Sequence, residues 1–363
     1  MMAFSYRRTI TIDYTKCGTA NSTDFPMLIS GTYDGTGGIA DLRTTGNGGK
    51  VTNASGYDIG FYSDAALTTK LSWETEQYTA TTGLVKYWVK IPTLSASADT
   101  VIYLAYGNSA ISTDQSAATT TWDSNYLGVY HLGDGTTLSV ADSMNIHNGT
   151  NNSATATTGQ IYGGVNYSGS SQYIALGNIA TFSDTQTVTL ECWLKSSTNG
   201  QWLMGNIQYG KSGVGLNLGL GTANKAAMMI GNYSGAGDGG GIRHASGGTS
   251  VQDGTWRHVV ATYDGSQSSA GIKIYLNGVA ESMTSNSNTA PSVFDNTAFR
   301  LGSIPYGYYA TAVNDEIRIS NTARSVSYAL ASYNNQNSPS AFYTLGSEVI
   351  IPRGGTFGLM GVG

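Results

Sequence analysis

The stretch at residues 254–278, GTWRHVVATYDGSQSSAGIKIYLNG, constrains the fold most. Val259, Ala261 and Tyr263 alternate with His258, Val260 and Thr262, and Ile272, Ile274 and Leu276 alternate with Lys273 and Tyr275. Apolar side chains at every second position fit a half-buried strand, whose successive side chains point to opposite faces; a helix would repeat them every three or four residues. Asn277-Gly278 follows at once. Both residues tolerate the positive φ of a two-residue type I′ turn, so the chain from Val279 is expected to fold back on the 272–276 strand as an antiparallel hairpin.

Other segments repeat this pattern. Residues 6–12 (YRRTITI) read as a strand, Val85, Tyr87, Val89 and Ile91 alternate with Lys86, Trp88 and Lys90, and residues 101–106 (VIYLAY) form an apolar run of strand length. Charged residues are only 11% of the chain, against about 25% in ordinary soluble domains, and its 48 glycines are nearly twice the usual ~7%. Such a composition suits short strands, many turns and an uncharged polar surface, with little material for helices. A length of 363 residues accommodates two cores. The expectation is therefore an all-β chain of two antiparallel β-sandwich domains.

Charge and cysteine content exclude several roles. The net charge of −5 has no basic run, so no nucleic-acid partner is expected, and no apolar stretch is long enough for membrane insertion. Cys17 and Cys192 fall in different expected domains, so buried free thiols are expected rather than a disulfide. Residues 1–10 run straight into a strand pattern without the apolar segment of a signal peptide.

The motif at 254–278 resembles the core of the laminin-G-like, concanavalin-A-like jelly-roll family. The resemblance extends through GVYHL at 128–132, Asp142-Ser143, Asn148-Gly149-Thr150, GGVNYSGSSQY at 163–173, VTLECWLK at 188–195 and NDEIRISNTARS at 314–325. Upstream, YRRTITIDYTK, DFPMLIS, YDIGFYSD, LSWETEQY and LVKYWVKIPTLSASADTVIYLAYGN follow in an order that resembles the family called domain of unknown function 2341. These resemblances imply a first sandwich at 4–118, a short linker at 119–123, a concanavalin-A-like jelly roll at 124–347 and a Gly-rich apolar tail at 348–363. The tail either stays disordered or pairs as an added strand or between subunits. Residues 231–248 read as a long glycine-rich loop. Trp193 alternates onto the polar face of its strand, which calls for a covering loop or a concave binding face.

Function follows as a set of expectations. Gly235 to Gly240 spells G-x-G-x-x-G, but no strand-to-helix unit surrounds it to hold a phosphate. A glycoside hydrolase needs two carboxylates about 5–9.5 Å apart. Glu74 with Glu76, or Glu191 with a neighbour, could supply them, yet the spaced acidic cluster of jelly-roll glucanases is absent, and no catalytic residue is assigned. The jelly-roll resemblance implies recognition of a glycan or surface protein, with Trp202, Tyr233, Tyr306, Tyr308 and Tyr309 as loop aromatics able to stack on sugars. It also implies a structural calcium, for which Asp142 and Asp315 stand at the expected positions, although Met144-Asn145 departs from the usual loop. The expected role is a non-catalytic adhesin or structural protein, extracellular, on a cell surface or on a phage or virus particle. The alternative is a decoration or fibre subunit that self-assembles through its tail.

Overall fold

The computed structural model of the chain describes residues 4–352 other than 39, 199, 209–210, 219–223, 233–240, 292–293, 295–296 and 306. Two compact units account for it, one formed by residues 1–121 with 337–363, the other by residues 122–336. Strand pairing within every sheet is antiparallel.

The first unit contains β1 (Tyr6–Ile12), β2 (Ser22–Thr32), β3 (Ile59–Tyr62), β4 (Trp73–Thr79), β5 (Leu84–Leu94) and β6 (Thr100–Tyr106), with a single helical turn, α1 (Ala118–Thr121), at the end of its first segment. One sheet is ordered β2-β5-β4; the other contains β1, β6 and β3. Ile10 and Ile12 of β1 face a core with Phe25, Met27, Phe61, Val89, Ile91 and Leu104.

The second unit begins with β7 (Tyr126–Tyr130), β8 (Thr150–Asn152), β9 (Thr155–Thr158), β10 (Gly163–Ser168), β11 (Tyr173–Gly177) and β12 (Val188–Lys195). It continues through β13 (Gln201–Gly205), β14 (Gly213–Leu218), β15 (Lys225–Gly231), β16 (Ile242–Ser250), β17 (Arg257–Tyr263) and β18 (Ile272–Leu276). It closes with β19 (Val279–Ala280), β20 (Thr284–Asn288), β21 (Phe299–Leu301), β22 (Thr311–Ser320) and the helix α2 (Val326–Asn337). The back sheet is ordered β19-β18-β17-β12-β22-β10-β9, with β7 on β22; the front sheet is ordered β20-β16-β15-β14-β13-β21-β11-β8. Leu190, Cys192, Val259, Ala261, Ile274 and Ile317 of the back sheet meet Val214, Leu216, Met228, Ile230, Phe299 and Leu301 of the front sheet in one core.

The expected hairpin is present. Leu276 pairs with Val279 across Asn277 (φ 51°) and Gly278 (φ 76°), the two positive φ values that a type I′ turn demands. Strands β17 and β18 were expected to be half-buried, but both faces of β17 are covered, and on the outer face of β18 Tyr275 is covered while Lys273 stays exposed. His258, Val260 and Thr262 are buried too, because α2 lies on the outer face of the back sheet. Ala329 of α2 clusters with Val260 and Tyr275, and the Trp193 indole Nε1 donates to Gln336 Oε1 at 2.6 Å. A helix, rather than a loop, therefore covers Trp193.

Two further expectations change. Within 231–248, residues from Ile242 onward are strand β16, paired with β15 through Arg243–Ile230 and Ala245–Met228; residues 233–240 lie outside the described ones. Past α2, the chain was expected to stay in the jelly roll to residue 347, but α3 (Pro339–Phe342), β23 (Tyr343–Leu345) and β24 (Val349–Ile350) belong to the first unit. Both strands pair with β1, through Ile12–Tyr343, Ile10–Leu345 and Tyr6–Ile350. The start of the tail thus forms an added strand within its own chain, and residues 353–363 lie outside the described ones. Cys17 and Cys192 are buried free thiols, and among the described residues no helix is long and apolar enough to cross a membrane.

Candidate functional site

The two outer faces of the second unit differ in chemistry. On the back sheet, Glu191 of β12 lies under α2, 2% exposed. Its carboxylate accepts from Ser332 Oγ at 2.7 Å, Tyr328 OH at 3.1 Å and Arg318 Nη1 at 3.3 Å, and contacts His258 Nε2 at 3.1 Å. Burial pushes the Glu191 carboxyl up, but the Arg318 charge and the His258 contact outweigh it and hold it down at about 2. Arg318 also donates to Glu316 at 2.8 Å. A carboxylate so fully engaged has no proton to deliver and no lone pair turned to solvent, so this network fastens α2 to the sheet. Glu76, in the first unit, accepts from the Trp88 indole at 2.8 Å.

The front sheet turns a different set of side chains outward. Core residues Val214, Leu216 and Leu218 put Asn217 of β14 on the outer face, and the same alternation puts Met229 of β15, His244 of β16 and Arg300 of β21 there. Asn217 pairs with Trp202 of β13, and Met229 pairs with His244. The Trp202 ring lies against Gly215, where a Cβ would come within 2.5 Å of the indole; only glycine leaves room. Trp202, Ile207, Met229 and Ile304 form a buried cluster, with half-buried Ile242 and Tyr308 packed against it.

Polar atoms inside this apolar patch lack protein partners among the described residues. Asn217 is fully buried, and among those residues neither its amide N nor its amide O makes a hydrogen bond; His244 is 8% exposed and its Nε2 is likewise without a protein partner there. Burial pushes His244 down to about 4, so its ring is neutral at neutral pH. A buried polar group left unsatisfied costs about 1–3 kcal/mol, so these atoms are ones that a water or a ligand hydroxyl would satisfy. Beside this patch, the Arg300 guanidinium lies over the Tyr173 ring, 4.1 Å from its centroid, and the Tyr309 ring is 6.4 Å from that of Tyr173.

Of the expected sugar-contacting residues, Trp202 and Tyr308 meet in the patch and Tyr309 borders it. Tyr233 and Tyr306 lie outside the described residues. Trp202 is fully buried, so it forms a floor rather than an exposed stacking platform. Sequence reasoning missed Asn217, His244, Arg300 and Tyr173. Their signal was phase: each alternates with core residues in a short strand, as Arg300 does between Phe299 and Leu301.

The carboxylate of Asp142 is turned to backbone donors, whereas the expected calcium would take six to eight oxygen ligands. Asp142 Oδ1 accepts from the backbone N–H of Val129 at 2.9 Å and Met144 at 3.0 Å, and Oδ2 from those of Ile146 at 3.2 Å and His147 at 2.9 Å. These four bonds fill the acceptor sites of a carboxylate and surround it with hydrogens, the wrong polarity for a cation. Asp315, fully buried, accepts from Ile161 N–H at 2.7 Å. No metal is assigned to either.

Two family models match the chain in the order expected from its sequence. Residues 55–144 match the family described as Domain of unknown function (DUF2341), and residues 168–328 match that described as Concanavalin A-like lectin/glucanases superfamily. No curated protein matches the chain. Similar solved structures include the binding domain of Paraclostridial Mosquitocidal Protein 1, at 14% identity and TM-score 0.44, covering 58% of this chain and 52% of that one. Domain 4 of AbnA, a GH43 extracellular arabinanase from Geobacillus stearothermophilus, is similar at 19% identity and TM-score 0.42, covering 57% and 98%. Trypanosoma rangeli sialidase is similar at 11% identity and TM-score 0.42, covering 68% and 42%. This chain thus spans about half the length of the mosquitocidal chain and less than half of the sialidase. In its two family matches, the chain carries a DUF2341 segment followed by a lectin-like β-sandwich segment of the concanavalin A-like superfamily.

Proposed function

We propose that the second unit is a non-catalytic glycan-binding module whose site is the outer face of the front sheet, around Asn217, His244 and Tyr308. The half-buried Tyr308 and Ile242 on an apolar floor, with the Asn217 amide beside Trp202 left without a protein partner among the described residues, carry this reading. A sugar hydroxyl both donates and accepts, so it can meet either end of an Asn amide and either tautomer of a neutral His. Sugar C–H faces suit the neighbouring Tyr308 and Ile242. The superfamily match supports a lectin role over an unrelated one. Against hydrolysis stands Glu191, locked under α2 with its proton held off down to about 2. The compartment we propose is outside the cell or on a virus particle, in keeping with a chain that is only 11% charged.

The test is a glycan array with the whole chain, followed by Asn217→Leu. Removing an orphan amide is expected to leave the thermal midpoint unchanged or raise it, while binding falls at least about tenfold. An array with no hits, or a variant that binds as well as the parent, would refute the site.

A second reading, self-assembly as a structural subunit, is favoured by β24, where Val349 is 43% and Ile350 71% exposed on a sheet edge. Sedimentation showing one monomeric species across a wide concentration range would remove it.

A further inference from the structure

We infer that the glycan bound on this face carries a carboxylate or sulfate group, and that Arg300 holds it between Tyr173 and Tyr309. This rests on the glycan reading above and adds the ligand's charge.

The other arginines of this sandwich that reach its interior are matched to acids. Arg243 holds Asp184, Arg318 holds Glu191 and Glu316, and Arg324 holds Asp123. Arg300 differs: among the described residues it makes neither an ion pair nor a hydrogen bond, and its one strong contact is the Tyr173 ring. Phe299 and Leu301 are anchored in the core, so the backbone at Arg300 is fixed and its side chain emerges on the outer face, half-buried. Its register partners are Ala175 and Gly205, and neither offers a polar side chain.

Stacking decides what Arg300 can still bind. A guanidinium lying over an aromatic ring uses its π face and leaves its N–H edges pointing sideways in a fixed plane. That fork matches two oxygens of a carboxylate or sulfate, and a half-buried setting strengthens the bond relative to water. Tyr309 stands beside Tyr173 as a second ring, placed to contact the sugar that bears the acid. Arg300 on β21 and Asn217 on β14 are two strand spacings apart across the sheet and two residues offset along it, about 12 Å, a span that one oligosaccharide covers. Since His244 is neutral at neutral pH, Arg300 is the charge among these groups that selects an anion.

The experiment uses the whole chain on an array holding carboxylated, sulfated and neutral glycans. Titrations of the strongest hit then follow with the parent, Arg300→Gln and Arg300→Lys, at low and high salt. Hits are expected to be acidic, with carboxylated and sulfated arms showing which group is preferred. Arg300→Gln should weaken binding at least about tenfold at an unchanged thermal midpoint, and Arg300→Lys should fall between, keeping the charge but losing the fork. High salt should weaken the parent more than Arg300→Gln. Hits confined to neutral glycans and lost in Asn217→Leu would overturn the acidic preference and leave the glycan reading standing. Acidic hits bound equally well by Arg300→Gln would also overturn the role of Arg300, and no hits at all would overturn both.

Discussion

Asp142 shows how one carboxylate can gather the backbone N–H groups of a loop. Its four backbone donors span Val129 to His147, and Asn148 returns the arrangement by accepting from the Asp142 N–H at 2.9 Å. Asp142→Ala would strand these N–H groups together, at an expected cost of about 3 kcal/mol. In contrast, adding calcium or a chelator should leave the thermal midpoint of the parent where it was; a midpoint that calcium raises would show that the loop takes an ion after all. His244 ties stability to pH in the same residue-by-residue way. Its folded pKa, lowered to about 4 from 6.5 by burial, means that between those values the unfolded chain binds a proton that the fold refuses. Stability is therefore full above about 6.5 and falls as pH drops toward 4, by up to about 3 kcal/mol. Denaturant titrations across that window should show the loss, and His244→Gln should flatten it. Glu191, lowered from 4.5 to about 2, contributes stability that is lost only as pH falls from 4.5 toward 2, so the two groups separate on the pH axis.

At the scale of elements, legibility followed how openly each strand declared its core face. The β17–β18–β19 hairpin was readable because Val259, Ala261, Ile274 and Leu276 mark every second position and Asn277-Gly278 ends the run. Strand β16 was not, since Ala245 is the lone apolar residue of IRHASGG that enters the main core, and its pairing with β15 rests on backbone bonds that any sequence can make. Helix α2 hid for another reason. Its buried residues include Ser327, Ser332, Asn335 and Gln336, because the sheet it covers presents Glu191, Arg318 and His258. A helix whose packed face mixes Ser, Asn and Gln with Tyr328, Ala329 and Ala331 leaves no continuous apolar stripe to find. Trp193, out of phase with its apolar neighbours, was the one visible trace of that helix. The candidate site was legible only in part for a related cause: Tyr308 and Trp202 announce themselves by type, whereas Asn217 and Arg300 matter through which side of a strand they occupy and which partners they lack.

Over the whole molecule, the chain returns to its beginning. Strand β1 has β6 along one edge and β23 with β24 along the other, so the first unit is completed by residues that follow the second. Strands of three and two residues carry too little pattern to be read from sequence, and the family resemblance gave no sign of them. Their contribution is nonetheless substantial. Phe342 is fully buried and stacks with Phe25 at 6.3 Å, Tyr343 is 4% exposed, Glu348 accepts from Tyr106 OH at 2.6 Å and pairs with Lys50, and Arg8 donates to the Gly346 carbonyl at 2.9 Å. Ending the chain after Gln336 would strip β1 of an edge and empty the Phe342 position, which alone is worth about 3–5 kcal/mol when an aromatic is lost from a core. That is a large share of the ~5–15 kcal/mol that holds a domain together. Residues 122–336 lose none of their own strands in such a truncation. Calorimetry of the shortened chain is therefore expected to show a first unit that melts early or is already unfolded and open to protease, beside a second transition at the temperature of the parent. Glycan binding should persist, because Asn217, His244 and Arg300 all lie in the untouched unit. A shortened chain that melts as the parent does would mean that β23 and β24 decorate the first unit rather than complete it.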